Sequence, residues 1–255
     1  MGDFESLLVA RQTKDKNANL SVPNLNQPVN RLLAALPKEE YQRLLPNLQP
    51  IELPQHQILY NAGEDYDYAY FPSYSIVSTV AIMENGSTTE IGIIGNEGMV
   101  GLPIILNTGY TNSTAIVQVG GDGYKIAAKR IQEELNRQGA LKRLLMRYIQ
   151  ARFIQLGQTA ACNRYHTVEQ RFARWLLSVR DNIQKDEFQL TQEFISQMLG
   201  VRRSGVSEVA TKFQKAGIIQ YKRGFIRIIS PQRLEAATCE CYELIYREFD
   251  RLLNF

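Results

Sequence analysis

The stretch LTQEFISQMLGVRRSGVSEV, residues 190–209, constrains the fold most, because two apolar-periodic segments meet there at a glycine followed by two arginines. A helix-turn-helix packs two short helices at a steep angle. It needs apolar side chains at fixed offsets, a small residue where the helices touch, and a turn that accepts glycine. Ile195, Leu199, Val201, Val206 and Val209 supply the offsets, Ser196 the small contact and Gly200 the turn. This packing leaves Arg202, Arg203, Ser204, Ser207, Glu208, Thr211 and Lys212 on the start and outer side of the second helix, where a recognition helix meets the major groove. An arginine at that corner forks onto guanine O6 and N7 or clamps a phosphate, and the helix N-terminus adds partial positive charge. Gly205 costs the helix about 1 kcal/mol relative to alanine. Close backbone approach to a phosphate and relief of crowding both account for it at this level.

Downstream, GIIQYKRGFIRII reads as strand, turn, strand with Lys222, Arg223 and Gly224 at the tip, which turns the motif into a winged helix-turn-helix with cations placed for a phosphate backbone. From Gln189 to Ser230 there are seven basic residues against two acidic ones. That local excess, rather than the mild whole-chain net charge of +3, predicts salt-dependent affinity for a duplex.

The remainder of the chain divides by hydrophobic period. Residues 1–28 are polar and Asn-rich without periodicity, the composition of a disordered tail. RLLAALPKEEYQRLL predicts short helices, with Pro37 suited to a first turn. Between about Pro50 and Ile126 the period becomes that of strands: Ile58–Tyr60, Tyr68–Phe71, Ser75–Ile82, Thr88–Ile94, Ser113–Val119 and Tyr124–Ile126, punctuated by Gly, Asn, Asp or Pro. Asn85-Gly86 predicts a type I′ hairpin. Many short strands of this kind suggest a barrel or rolled sandwich. From Lys129 to about Ile183 the chain reads as helix, with Leu141, Leu144, Leu145, Tyr148, Ile149, Phe153 and Leu156 at three- and four-residue intervals. The stripe suits a dimer helix, although Arg152 and Gln155 break any single heptad register. After Ser230, Leu234, Tyr242, Ile245, Tyr246, Phe249 and Leu252 predict an added helix packed on the winged domain.

Taken together, these residues resemble the Crp/Fnr-type bacterial transcription regulators: LTQEFISQMLGVRRSGVSEV with its KRG wing is similar to their DNA-binding domain, and the β-rich region to their cyclic-nucleotide-binding-like roll. The resemblance covers about residues 30–230 and implies an α+β chain with a β-roll sensor (29–137), a long dimerisation helix (138–165) and a winged helix-turn-helix (166–230); composition adds the disordered tail (1–28) and helical spacing the C-terminal helical extension (231–255). The resemblance also implies a cytoplasmic homodimer that binds a two-fold-symmetric site on double-stranded DNA, acts with RNA polymerase and is gated by a small-molecule effector in the roll. The base-reading role falls on Arg203, Ser204 and Glu208, with Lys222 and Arg223 on the backbone. Two of those three base-reading positions differ from the best-known member, so its target sequence does not transfer. The comparable effector segment brings in Gly95, Glu97, Gly98, Asn112, Ser113 and Thr114. Asn112 stands where an arginine would pair with a cyclic phosphate, which removes the charge-assisted contact and leaves the effector unknown. A dimeric protein-binding module and a cyclic-nucleotide-responsive regulator with an atypical pocket remain the alternatives.

Catalysis finds no support: there is no Walker loop, G-x-S-x-G, H-E-x-x-H or protein-kinase signature set. No window is long and apolar enough for a membrane span, and the absence of a leader pattern predicts a reduced, cytosolic protein. The three cysteines, Cys162, Cys239 and Cys241, make an odd number, which argues against a disulfide framework. Cys162 and His166 share a predicted helix face and offer half a metal site, while Cys239 and Cys241, two apart, would diverge on a helix. Ordinary packing is therefore expected for all four, with no metal and no cofactor.

Overall fold

The computed structural model describes residues 28–253; the tail expected over residues 1–28 therefore lies, apart from Pro28, outside the described residues. Two short helices, α1 (Arg31–Ala34) and α2 (Lys38–Leu44), lead into the strands. Asn30 begins α1: its side chain accepts from Leu33 N–H and donates to the carbonyls of Pro72 and Gly98, at 2.9 and 2.8 Å, tying the helix to the roll.

The roll consists of β1 (Gln49–Leu53), β2 (Ile58–Tyr60), β3 (Tyr68–Pro72), β4 (Ile76–Ile82), β5 (Thr88–Ile94), a short helix α3 (Leu102–Leu106), β6 (Thr114–Val119) and β7 (Gly121–Ala127). These form an antiparallel sheet of order β1-β7-β3 and another of order β2-β6-β4-β5. Every residue of β6 is buried. Its side chains serve two cores, Ala115 and Val117 inside the roll and Ile116 outside it, with Val119 joining the outer core beyond a register shift in the β4–β6 pairing, so a strand with both faces covered loses its polar alternation. The sequence reading missed β1, whose Pro50 and polar residues mask the pattern, and α3.

The β4–β5 turn corrects the expected type I′ geometry. Gly86 has φ +82° but Asn85 is not left-handed. Gly86 N–H bonds Met83 O, Met83 N–H bonds Ser87 O, and the Asn85 side chain accepts from Ser87 N–H. A three-residue loop closed by a left-handed glycine needs only one positive φ. The I′ pair occurs instead at Arg223 (φ +51°) and Gly224 (φ +82°).

Helix α4 (Ala128–Asn136) is followed by the long α5 (Ala140–Tyr165) and α6 (Val168–Ile183). The N-cap of α5 is Gly139, which has no side chain; Glu40 of α2 supplies the acceptors, bonding the N–H groups of Ala140 and Leu141 at 2.7 and 2.8 Å. Thr167 and Gln170 form a reciprocal capping box at the start of α6. The winged unit then follows as β8 (Glu187–Gln189), α7 (Gln192–Leu199), α8 (Arg203–Lys215), β9 (Ile219–Lys222) and β10 (Phe225–Ile228), with sheet order β8-β10-β9.

The chain ends in α9 (Pro231–Ala236) and α10 (Cys241–Leu253). Contrary to the expectation, α10 packs chiefly on α5 rather than on the winged unit. Phe249 and Leu253 enter the core that holds Leu145 and Tyr148, and Asp250 pairs with Arg31 at 2.7 Å. Its apolar stripe matches the long helix, a partner that periodicity cannot name. The expected divergence of Cys239 and Cys241 on one helix does not occur. Helix α10 starts at Cys241, so Cys239 lies in the preceding loop and the helical rule that would separate the pair does not apply. Both reach Cys162, and the three form a separate buried cluster.

Candidate nucleic-acid interface

Gly200 adopts φ +61° and closes α7, accepting the left-handed backbone that a C-cap requires, while Val201 N–H returns to Ser196 O. Ile195, Ser196, Leu199, Val206 and Val209 are buried, and Val201 packs against the same core. Phe213 of α8 stacks on Phe172 of α6, with ring centroids 6.1 Å apart. This packing orients α8 so that Arg202, Arg203, Ser204, Glu208, Thr211 and Lys212 are exposed.

The outer face of α8 carries a shallow concavity lined by Ser207, Glu208, Thr211, Lys212, Lys215 and Ala216. Ser207 is half-buried and donates to Gln192 Oε1 of α7 at 2.5 Å, so its hydroxyl braces the helix pair. Lys212 pairs with Glu169 at 2.5 Å, and Arg203 lies 3.9 Å from Glu193. Among the described residues, Arg202, Lys215, Lys222 and Arg223 have no carboxylate partner. Nothing lies within 4 Å of a Cβ built on Gly205, so crowding inside the chain does not explain that glycine.

Backbone contacts hold the wing beside the helices. Leu190 N–H bonds Gly224 O at 2.7 Å, Tyr221 N–H bonds Gln214 Oε1 of α8, and Tyr221 Oη donates to Leu190 O. The cations at the wing tip and at the start of α8 therefore belong to one rigid unit.

The winged unit docks on the outer face of the four-stranded roll sheet. Ile76, Val80, Ile93, Ile116 and Val119 share a core with Phe172, Trp175, Leu176 and Val179 of α6. Polar contacts frame it: Trp175 Nε1 donates to Glu90 at 3.2 Å, Gln55 bridges the carbonyls of Gln118 and Gln189, and His56 meets Phe194 edge-on. Ser78 also donates to Glu90, at 2.6 Å. Burial pushes the Glu90 carboxyl up to about 7, opposed by these hydrogen bonds and by Arg174 and Arg152.

The roll segment flagged from sequence is split. Glu97 is buried, which raises its carboxyl above the usual range, and both its oxygens accept from Gly95 N–H at 3.1 Å. Gly95 and Gly98 serve close approach: an added Cβ would lie 2.2 Å from Asn182 of α6 and 2.6 Å from the Tyr148 hydroxyl of α5, respectively. Glu97 lines a cleft between the roll, α5, α6 and α10 that also includes Asn96, Gln155, Asn182 and Tyr246. Asn112, Ser113 and Thr114 do not line it. Asn112 is exposed, Ser113 pairs with Thr111, and Thr114 Oγ1 accepts from Ala62 N–H. Sequence reasoning missed Asn182 and Tyr246 because they come from helices assigned to other units.

Residues 170–237 match the Crp-like helix-turn-helix domain family. The chain thus carries a Crp-like helix-turn-helix domain in a fold shared with solved Crp/Fnr regulators. Among solved structures it is similar to FixK2 from Bradyrhizobium japonicum (13% identity, 75% of this chain and 98% of that one, TM-score 0.62). It is also similar to a CRP-family transcriptional regulator from Thermus thermophilus (16%, 74% and 95%, TM-score 0.60) and to CLP, a c-di-GMP-responsive global regulator from Xanthomonas campestris (14%, 75% and 99%, TM-score 0.57). No curated protein matches the sequence. Among the described residues no helix is long and apolar enough to cross a membrane.

Proposed function

We propose that this chain is a homodimeric, sequence-specific regulator of transcription in the cytoplasm, reading a palindromic duplex with α8 and gripping the backbone with its wing. The observation that carries this reading is the exposed face of α8, whose Arg202 and Arg203 stand at a helix start beside a rigid wing bearing Lys222 and Arg223. Arg203, Ser204 and Glu208 take the base-reading positions. RNA polymerase is the expected partner at the promoter.

The dimer reading is supported by α5. Met146, Ile149, Phe153, Leu156 and Ala160 follow a three-four spacing, and Met146 and Phe153 are 41% and 66% exposed. Arg152 and Gln155, which interrupt the pattern in sequence, turn inward to the roll, where Arg152 donates to Ile93 O at 2.5 Å. Leu141, Leu144, Leu145 and Tyr148 serve the chain's own core instead. Effector gating would act through the cleft at Glu97, since a ligand there touches the roll, α5 and α6 together and shifts the docked pose.

The test is selection from a random duplex library at moderate salt, followed by titration of the winning site. Enrichment of a palindrome with half-sites about one helical turn apart is expected. Arg202→Ala with Arg203→Ala should abolish binding while the oligomeric state stays unchanged. Retained affinity in that variant refutes the placement of the recognition helix.

A further inference from the structure

At the corner where α5 ends, four side chains from distant parts of the sequence converge. Cys162 lies in the last turn of α5, His166 is its C-cap residue, Cys239 lies in the loop before α10, and Cys241 opens α10. Their ligand atoms all lie within 4.8 Å of one another. Cys162 Sγ is 3.6 Å from Cys239 Sγ, and Cys241 Sγ is 3.4 Å from His166 Nδ1. Around a tetrahedral zinc with Zn–S near 2.3 Å and Zn–N near 2.1 Å, ligand atoms stand about 3.6–3.8 Å apart. The observed spacings require only small adjustments.

The surroundings are those of a metal site. Glu240 Oε2 is 3.2 Å from His166 Nε2, so a carboxylate can take the proton-bearing nitrogen and direct Nδ1 toward the sulfurs, the usual carboxylate–histidine–metal relay. Gln158 Nε2 donates to Cys241 Sγ at 3.1 Å. Three thiolates and one neutral imidazole around a dication leave one net negative charge. Arg171 and Arg174 of α6 lie in electrostatic reach of Cys162, and the Nε of each is buried without a hydrogen-bond partner. Arg171 also donates to Leu199 O and Arg174 also faces Glu90, and an anionic metal centre would give both cations a further counter-charge.

We propose that Cys162, His166, Cys239 and Cys241 form a Cys3His site for a structural zinc ion. Such an ion would staple the C-terminal extension to the corner between the long helix and the winged unit. With four protein ligands the coordination sphere is closed, so the ion fixes structure rather than activating water.

The test is the zinc content of the full-length chain, purified under reducing conditions and supplied with zinc, measured by mass spectrometry alongside thiol titration. One zinc per chain is expected, with cobalt substitution giving the intense visible bands of a tetrahedral thiolate site. Cys239→Ser should lose the ion. Glu240→Gln, at a side chain that is 74% exposed and so harmless to folding, should keep the fold and weaken zinc binding about 10–100-fold. Less than a tenth of an ion per chain in the zinc-supplied wild type, full retention by Cys239→Ser, or a Cys162–Cys239 disulfide in place of metal would overturn the assignment. None of these readouts depends on DNA binding.

Discussion

Replacing Glu90 by glutamine tests how the winged unit is held on the roll. Glutamine keeps an oxygen to accept from Trp175 Nε1 and removes the charge. Burial raises the Glu90 carboxyl from its ordinary 4.5 to about 7, so between these values the folded protein binds more protons than the unfolded chain. Stability must then fall as pH rises through that window: the favourable protonated state is complete below the unfolded value and lost above the folded one. A displacement of this size corresponds to about 3 kcal/mol. Glu90 is only half-buried as a residue, and solvent screening reduces the effect to about 1–2 kcal/mol. Trp175 is the single tryptophan, is 2% exposed and contacts Glu90, so its fluorescence reports the docked interface during urea denaturation. Glu90→Gln should match the wild type near pH 5 and exceed its stability by about 1–2 kcal/mol at pH 8. Equal differences at both pH values, or a variant less stable at pH 8, would refute the reasoning and mean that Arg174 and Arg152 hold the carboxylate ionised.

Phe153→Glu places a charge in the exposed α5 stripe and should convert a dimer to a monomer in light scattering, with thermal stability of the roll unchanged; a persistent dimer would exclude that seam. Gly95→Ala drives a methyl group into Asn182 and should cost about 1–3 kcal/mol by thermal denaturation. Gly205→Ala meets open space and should stabilise α8 by up to about 1 kcal/mol.

The helix-turn-helix was legible because its constraints are local. Gly200 must be left-handed, and the apolar offsets around it fall within twenty residues, so periodicity and turn chemistry carry the geometry. Most roll strands were readable for the same reason, since period-two alternation and Gly or Asn punctuation act over a few residues. The type I′ expectation at Asn85-Gly86 failed because the same dipeptide also fits a three-residue loop, and only the strand register chooses between them.

Tertiary structure decided which surfaces meet. The α5 stripe divided into an inward face, where Arg152 and Gln155 sit, and an outward Met146–Phe153 seam; helical spacing gives the faces but not their neighbours. The two-sided burial of β6 depends on the docked winged unit, which is distant in sequence. Cys162 and Cys239, 77 residues apart, come within 3.6 Å only because α10 packs back along α5. Local backbone preference was written in the sequence itself, whereas long-range convergence arises from the burial of apolar faces against partners that no short window of residues contains.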